Sequence, residues 1–202
     1  DLLLERDPDR AADVLAELED SEAAQILDGR PDAEIARILA QLDPDDAAAL
    51  AADLPADVRA GVLELLEQAG LDDVEDLLGY DEETAGRIMS PQIFTLHEEL
   101  TIGQAIEALR ARSEDFEMVF YLYVIDVRGH LVGVCSLRDL LLRDTTETLD
   151  RVMNKQIVAV NVDTDQEEVA QLVARYNYLA LPVVDHGNKL VGIITVDDVI
   201  DI

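Results

Sequence analysis

Apolar residues recur at helical spacing through the first eighty positions and at strand spacing afterwards. Ile35, Ile38, Leu39 and Leu42 stand at i, i+3, i+4 and i+7, the mark of one buried helix face. Comparable short runs are Ala11–Leu18, Ala23–Leu27, Ala47–Leu54 and Val58–Leu66. Asp7-Pro8, Asp20-Ser21, Pro31-Asp32, Asp43-Pro44 and Pro55 open these runs and the one over Ile35–Leu42. An Asp or Ser oxygen before a helix accepts from the unpaired N–H groups of its first turn, and Pro is tolerated there because it has no N–H to leave unpaired. The openings recur every ten to thirteen residues, too close for a two-helix repeat. The pattern predicts short single helices stacked into a superhelix over residues 1–80.

From residue 88 the pattern changes to a unit that occurs twice. Ile88-Met89-Ser90-Pro91 is matched by Val152-Met153-Asn154-Lys155, and the β-rich stretch Ile93–Leu96 by Ile157–Val160. A helix follows in each copy, with capping-box spacing at Thr101 and Gln104 and again at Thr164 and Glu167. Tyr121–Ile125 is matched by Leu181–Val184, and Leu131-Val132-Gly133-Val134-Cys135-Ser136 by Leu190-Val191-Gly192-Ile193-Ile194-Thr195. Gly133/Gly192, Ser136/Thr195 and Asp139/Asp198 are each offset by 59 residues, whereas Met89/Met153 are offset by 64. The first copy therefore carries five extra residues, near Ser113–Met118. Each copy reads as β-α-β-β-α.

Composition narrows the functional classes. The 202 residues include 45 acids and 15 bases, a net charge of −30. Residues 1–80 hold 23 acids and 5 Arg, a net of −18; residues 81–202 hold 22 acids and 10 bases, a net of −12. Such a surface repels phosphate backbones and anionic lipid, so neither nucleic acid nor direct lipid binding is expected. The apolar run Val119–Ile125 falls far short of the roughly 20 residues that cross a bilayer. The single cysteine, Cys135, excludes an internal disulfide framework and fits a reducing compartment. The partners this charge invites are cations, although a solvated acidic surface is the simpler account of charge alone.

The strand ends carry the chemistry. Ser136 ends a strand and caps a helix, with Asp139 in the first turn and Arg138 between them. A carboxylate there can accept from a ribose diol, and a guanidinium can meet phosphate oxygens. A plain capping box is the structural alternative. In the second copy Asp197 replaces Arg138. Like charges about 4 Å apart repel by about 1–4 kcal/mol, so a phosphate is disfavoured there. One competent nucleotide site is expected, on Ser136, Arg138 and Asp139, with the second motif left to cations. Tyr121 and Tyr178 are candidates to flank an adenine, against the alternative of core packing.

The duplicated Gly-h-h-Ser/Thr-x-x-Asp strand ends resemble a tandem of cystathionine-β-synthase (CBS) domains over about 115 residues. The junction Tyr80-Asp81-Glu82-Glu83-Thr84-Ala85-Gly86-Arg87-Ile88-Met89-Ser90-Pro91 resembles that of the MgtE magnesium transporters, in which an acidic helical superhelix precedes a CBS pair. The fold class is then α+β multidomain: a superhelix over 1–80, a junction over 81–91, and CBS domains over 88–149 and 150–202. The resemblance implies the regulatory part of such a transporter, on the cytoplasmic side of the membrane and trimmed at both ends. It implies a homodimer through the CBS domains, gating of the transporter's own transmembrane pore domain, Mg²⁺ bound at acidic interdomain surfaces, and ATP or another adenine nucleotide in the CBS cleft.

Carried onto this chain, the resemblance points to Asp13, Asp45 and Asp46 for Mg²⁺, with Asp198 and Asp201 as partners and Asp165, Glu167 and Glu168 as further acids. Asn177 stands where an acid is expected and offers only a neutral carbonyl. The alternative for each acid is capping or solvation.

No enzyme is expected. His97, His130 and His186 show no metal-ligand spacing, and Cys135 lies inside an apolar strand. A stand-alone adenylate-sensing CBS protein accounts for Ser136 and Asp139 but not for the superhelix. A scaffolding superhelix like that of flagellar rotor proteins lacks the CBS pair.

Overall fold

The computed structural model describes residues 11–12, 14–15, 18, 20–112 and 121–200, in two compact units that divide between Glu82 and Glu83. The extra residues of the first copy, Asp13 and Asp201 lie outside the described residues.

The first unit is helical. Residues 11–12 and 14–15 are helical, and after them come α1 (Asp20–Leu27), α2 (Asp32–Leu39), α3 (Pro44–Ala52), α4 (Ala56–Gln68) and α5 (Asp73–Leu78). Each packs on the next but one: α1 on α3, α2 on α4, α3 on α5. This is the stacking expected of a superhelix of short helices, none of which can bury an apolar face alone. Ile35, Ile38 and Leu39 of α2 are buried, as the spacing predicts, with Ala47, Ala48 and Leu50 of α3 and Val62 and Leu66 of α4. Among the described residues, no side-chain cap forms at the starts of α2, α3 and α4. Asp43 takes the N-cap position before Pro44, but its carboxylate accepts no capping bond. Pro31 and Pro55, which have no side-chain acceptor, precede α2 and α4. The fixed φ of proline and the acids of each first turn set these starts instead.

The second unit contains two three-stranded sheets, β1-β2-β3 and β4-β5-β6. The strands are β1 (Thr95–His97), β2 (Leu122–Ile125), β3 (Leu131–Cys135), β4 (Val160–Asn161), β5 (Ala180–Val184) and β6 (Leu190–Thr195). The helices are α6 (Ile102–Ala111), α7 (Leu137–Leu142), α8 (Leu149–Val152) and α9 (Gln166–Tyr176). In each sheet the first pair is parallel and the second antiparallel. Val124 faces Gly133 as Val183 faces Gly192, and the register shifts immediately after each of these pairs. The duplication is thus carried down to the bulge.

The copies are tied together by their leading segments. Ser90, before the first copy, bridges to Ile193 of the second with N···O distances of 2.8 and 2.9 Å. Asn154, before the second copy, bridges to Val134 of the first at 3.0 and 2.9 Å. Met89 lies over Gly192 and Met153 over Gly133. The hairpin turns also join, Leu131 N donating to Asn188 O and Leu190 N to Gly129 O, both at 3.1 Å. From Glu83 onward the junction belongs to this unit, with Ala85 N bonded to Thr164 O at 2.7 Å and Gly86 N to Val162 O at 2.8 Å.

Two details of the sequence reading need correction. The Thr101–Gln104 capping box forms, but the Thr164–Glu167 box does not. Asp165 caps α9 instead, its Oδ1 accepting from Glu167 N at 2.8 Å, while Thr164 Oγ1 accepts from Asn161 N. After β6, residues 196–200 form a turn rather than the expected helix. Among the described residues no helix is long and apolar enough to cross a membrane.

Candidate functional site

Strand β3 delivers Ser136 in extended conformation to the start of α7. The Ser136 hydroxyl accepts from Asp139 N at 3.1 Å, and Asp139 Oδ2 accepts from Ser136 Oγ at 2.6 Å and Ser136 N at 3.2 Å. These bonds, the hydroxyl's first, hold the Asp139 carboxyl below its usual range; burial opposes them, and Arg143 and Arg138 add a small pull. Both bonds to the carboxylate fall on Oδ2, so among the described residues Oδ1 keeps its lone pairs for a further donor. Arg138 is exposed beside it. The capping box and a ribose-accepting carboxylate are therefore compatible, because they use different oxygens.

The second motif is built differently. Thr195 N donates to Asp198 Oδ2 at 2.7 Å, and its hydroxyl lies 2.9 Å from the same oxygen and 2.5 Å from Asp197 Oδ1. Asp197 thus sits against the threonine, where the first copy has an exposed guanidinium.

Of the two candidate aromatics, Tyr121 is half-buried beside Tyr123, with ring centroids 6.5 Å apart. Tyr178 stacks on Tyr176 at 5.6 Å. Each is packed against the other tyrosine of its own copy. Tyr123 was not singled out by sequence and is the unusual member: it is 3% exposed, and its hydroxyl has no hydrogen-bond partner among the described residues. Leaving such a group unpaired costs about 1–3 kcal/mol. The signal that could have found it is a polar tip inside the run Leu122-Tyr123-Val124, where the second copy reads Leu181-Pro182-Val183.

The acids are dispersed over both units. Asp45 and Asp46 lie in the first turn of α3, the former half-buried and the latter exposed. Asp165, Glu167 and Glu168 open α9 and are exposed. Asp198 is half-buried against Thr195. Among the described residues, no three His, Cys, Asp or Glu side chains are grouped to hold a metal ion. Asn177 ends α9 with φ 52°, a left-handed position that asparagine tolerates better than most residues.

Cys135 is buried, and its thiol is pushed up to about 11, first by burial and then by the charge of Asp139. At pH 8 that leaves about one thiolate in a thousand, against about a quarter for an ordinary thiol. Cys135 is therefore expected to react with a chromogenic disulfide at least about a hundredfold more slowly in the folded protein than in the unfolded chain at the same pH. Equal rates in the two states would contradict the buried placement. His130 Nδ1 lies 2.8 Å from Asp126, and this hydrogen bond is the main cause holding that carboxyl down to about 2.

Comparison with known proteins matches these observations. The pattern of the MgtE intracellular N domain fits residues 1–83, and that of the CBS domain fits residues 85–144 and 149–202. Over 139 residues, 69% of this chain, the sequence is 44% identical to the magnesium transporter MgtE of Thermus thermophilus. Over 136 residues, 67% of the chain, it is 40% identical to the MgtE of Enterococcus faecalis. The matched regions span 31% and 30% of those relatives' lengths. A crystal structure of the cytosolic domain of the Mg²⁺ channel MgtE in complex with ATP is 40% identical, with a TM-score of 0.87, covering 96% of this chain and 79% of that one. An acidic helical N domain followed without a break by a CBS pair, matched in sequence and in fold, places this chain in the MgtE family.

Proposed function

We propose that this chain is the Mg²⁺-sensing, non-catalytic regulatory part of a magnesium transporter, acting as a homodimer through its CBS domains on a pore domain at the cytoplasmic side of the membrane. Mg²⁺ binds to carboxylates of the helical unit and of the CBS unit, with Asp13, Asp45, Asp46, Asp165, Glu167, Asp198 and Asp201 as the candidate ligands. An adenine nucleotide, ATP in the first instance, binds to Ser136, Arg138 and Asp139 with Tyr121 and Tyr178 near the base. The observation that carries the reading is the likeness, along nearly the whole chain, to an MgtE cytosolic domain crystallised with ATP. Electrostatics supports the ion. Units of net charge −20 and −10 repel until cations neutralise them, and Mg²⁺, which keeps several waters, needs only one or two carboxylates per site.

Screening by any salt is the competing account, since the Debye length falls to about 3 Å at 1 M. Specific ligation predicts that millimolar Mg²⁺ compacts the chain and protects residues 79–91 from proteolysis, at an ionic strength where KCl does neither. The double substitution Asp45→Asn with Asp198→Asn removes two of the 45 acids, barely changes screening, and is expected to abolish most of the Mg²⁺ effect. Small-angle scattering and limited proteolysis in matched MgCl₂ and KCl test it. Equal action of the two salts rejects sensing by this chain; a double mutant that compacts like the parent rejects these two ligands.

A further inference from the structure

Strand β2 separates two environments. Leu122 and Val124 face the helices, packed with Ile102, Leu140 and Leu149. Tyr123 faces the opposite way, into the apolar layer between the two sheets, with Leu131 of its own copy and Val184 and Ile193 of the other. Burial, and then the neighbouring Tyr121, raise its phenol well above the ordinary value, so the hydroxyl stays neutral and can donate as well as accept. In the second copy Pro182 occupies the matching place, facing Ile193 as Tyr123 faces Val134. The duplicated fold thus does not need a hydroxyl here, and the layer around it supplies no partner among the described residues.

The register connects this hydroxyl to the nucleotide motif. Tyr123 faces Val134 and Leu122 faces Cys135, so the next pair sets Tyr121 beside Ser136. By strand alternation Tyr121, Tyr123, Val134 and Ser136 share the face turned toward the other sheet. Tyr123, which carries the orphaned hydroxyl, therefore lies two residue pairs inward from the serine that opens the Ser136–Asp139 motif, the next position on the same face. A ligand that places phosphates at Arg138 and a ribose at Asp139 Oδ1 has its base left for this apolar layer. A purine suits it, with flat apolar faces and a polar edge.

We infer that Tyr123 is a specificity residue of the nucleotide site, its hydroxyl hydrogen-bonding a ring nitrogen or the exocyclic amine of a purine base lodged between the sheets. This rests on the adenine-nucleotide reading above. The test is Tyr123→Phe, which removes one oxygen and keeps the ring. Titration calorimetry would compare parent and variant with ATP, with its analogue lacking the 6-amino group, and with 1-deaza- and 7-deaza-ATP. The variant is expected to bind ATP at least tenfold more weakly and, ligand-free, to melt no lower than the parent. One analogue that binds the parent worse than ATP does should bind the variant as well as ATP does. Unchanged ATP affinity, or analogue losses identical in both proteins, overturns the assignment. If ATP binding is lost in Asp139→Ala but indifferent to Tyr123→Phe, only this inference falls. If the parent binds no ATP, the nucleotide reading falls and takes this inference with it.

Discussion

Gly192→Ala is expected to lower the melting temperature of the CBS unit by about 4–12 °C. A Cβ on Gly192 would lie 2.3 Å from Met89 Sδ, 2.6 Å from its Cγ and 2.9 Å from its Cβ. A thioether can swing away from a new methyl group, but the Met89 Cβ cannot, because the next residue is bonded on both sides to Ile193. Backbone must therefore move. Overpacking of this kind costs about 1–3 kcal/mol, and for a unit of this size each kcal/mol shifts melting by about 4 °C. Gly133→Ala meets Met153 at 2.2, 2.5 and 2.9 Å and should behave alike. Truncating the partner is the control. Met89→Ala alone leaves a cavity, yet combined with Gly192→Ala it should destabilise by less than the sum of the two single changes. Thermal unfolding by circular dichroism reads all four variants. Melting of Gly192→Ala within a degree of the parent, or strict additivity, would show that the methionine does not fix this approach.

Asp139→Ala is expected to weaken adenine-nucleotide binding by about ten- to a hundredfold, while Asp197→Ala changes it little. A hydrogen bond to a charged group contributes about 1.5–3 kcal/mol, and about 1.4 kcal/mol is tenfold in affinity. The carboxyl is held below its ordinary range, so it is fully ionised at neutral pH and its Oδ1 is an effective acceptor. Losing Asp139 also removes half of a capping box, at a cost of about 1 kcal/mol to α7. Arg138→Ala separates the two effects, since the arginine takes no part in the cap; it too should weaken binding, with the melting temperature unchanged. From the asymmetry between Arg138 and Asp197 the expected stoichiometry is one nucleotide per chain. Calorimetry that found two equal sites, or full affinity in Asp139→Ala, would reject the assignment.

Much of the fold is written locally and was readable for that reason. The 59-residue offset between Gly133 and Gly192 marked them as equivalent positions of a repeated strand, because strand alternation depends only on nearest neighbours; that both face a valine beside a register shift came from the structure. The Ser136–Asp139 box was legible because its partners are three residues apart. Choices made by distant contacts were not legible. Thr164 and Asp165 can both cap a helix; the bridge from Thr84 to Asp165 and the bond from Gln166 N to Glu83 O select the aspartate. The exchange of Ser90 and Asn154 between copies joins residues far apart in sequence, with no periodicity to announce it. Tyr123 read as an ordinary strand residue, because the lack of a partner for its hydroxyl is a property of the packed layer rather than of the sequence.

The reciprocal docking of Ser90 on Ile193 and Asn154 on Val134 also sets an order of assembly during synthesis. The ribosome releases the first copy whole, yet Met89 and Ser90 have no strand to rest on until Ile193 has emerged, near the end of the described chain. Asn154 needs only Val134, which precedes it in the chain. The two copies are thus unequal in time although nearly equal in space: the second is anchored on arrival, and its last strand then closes the first.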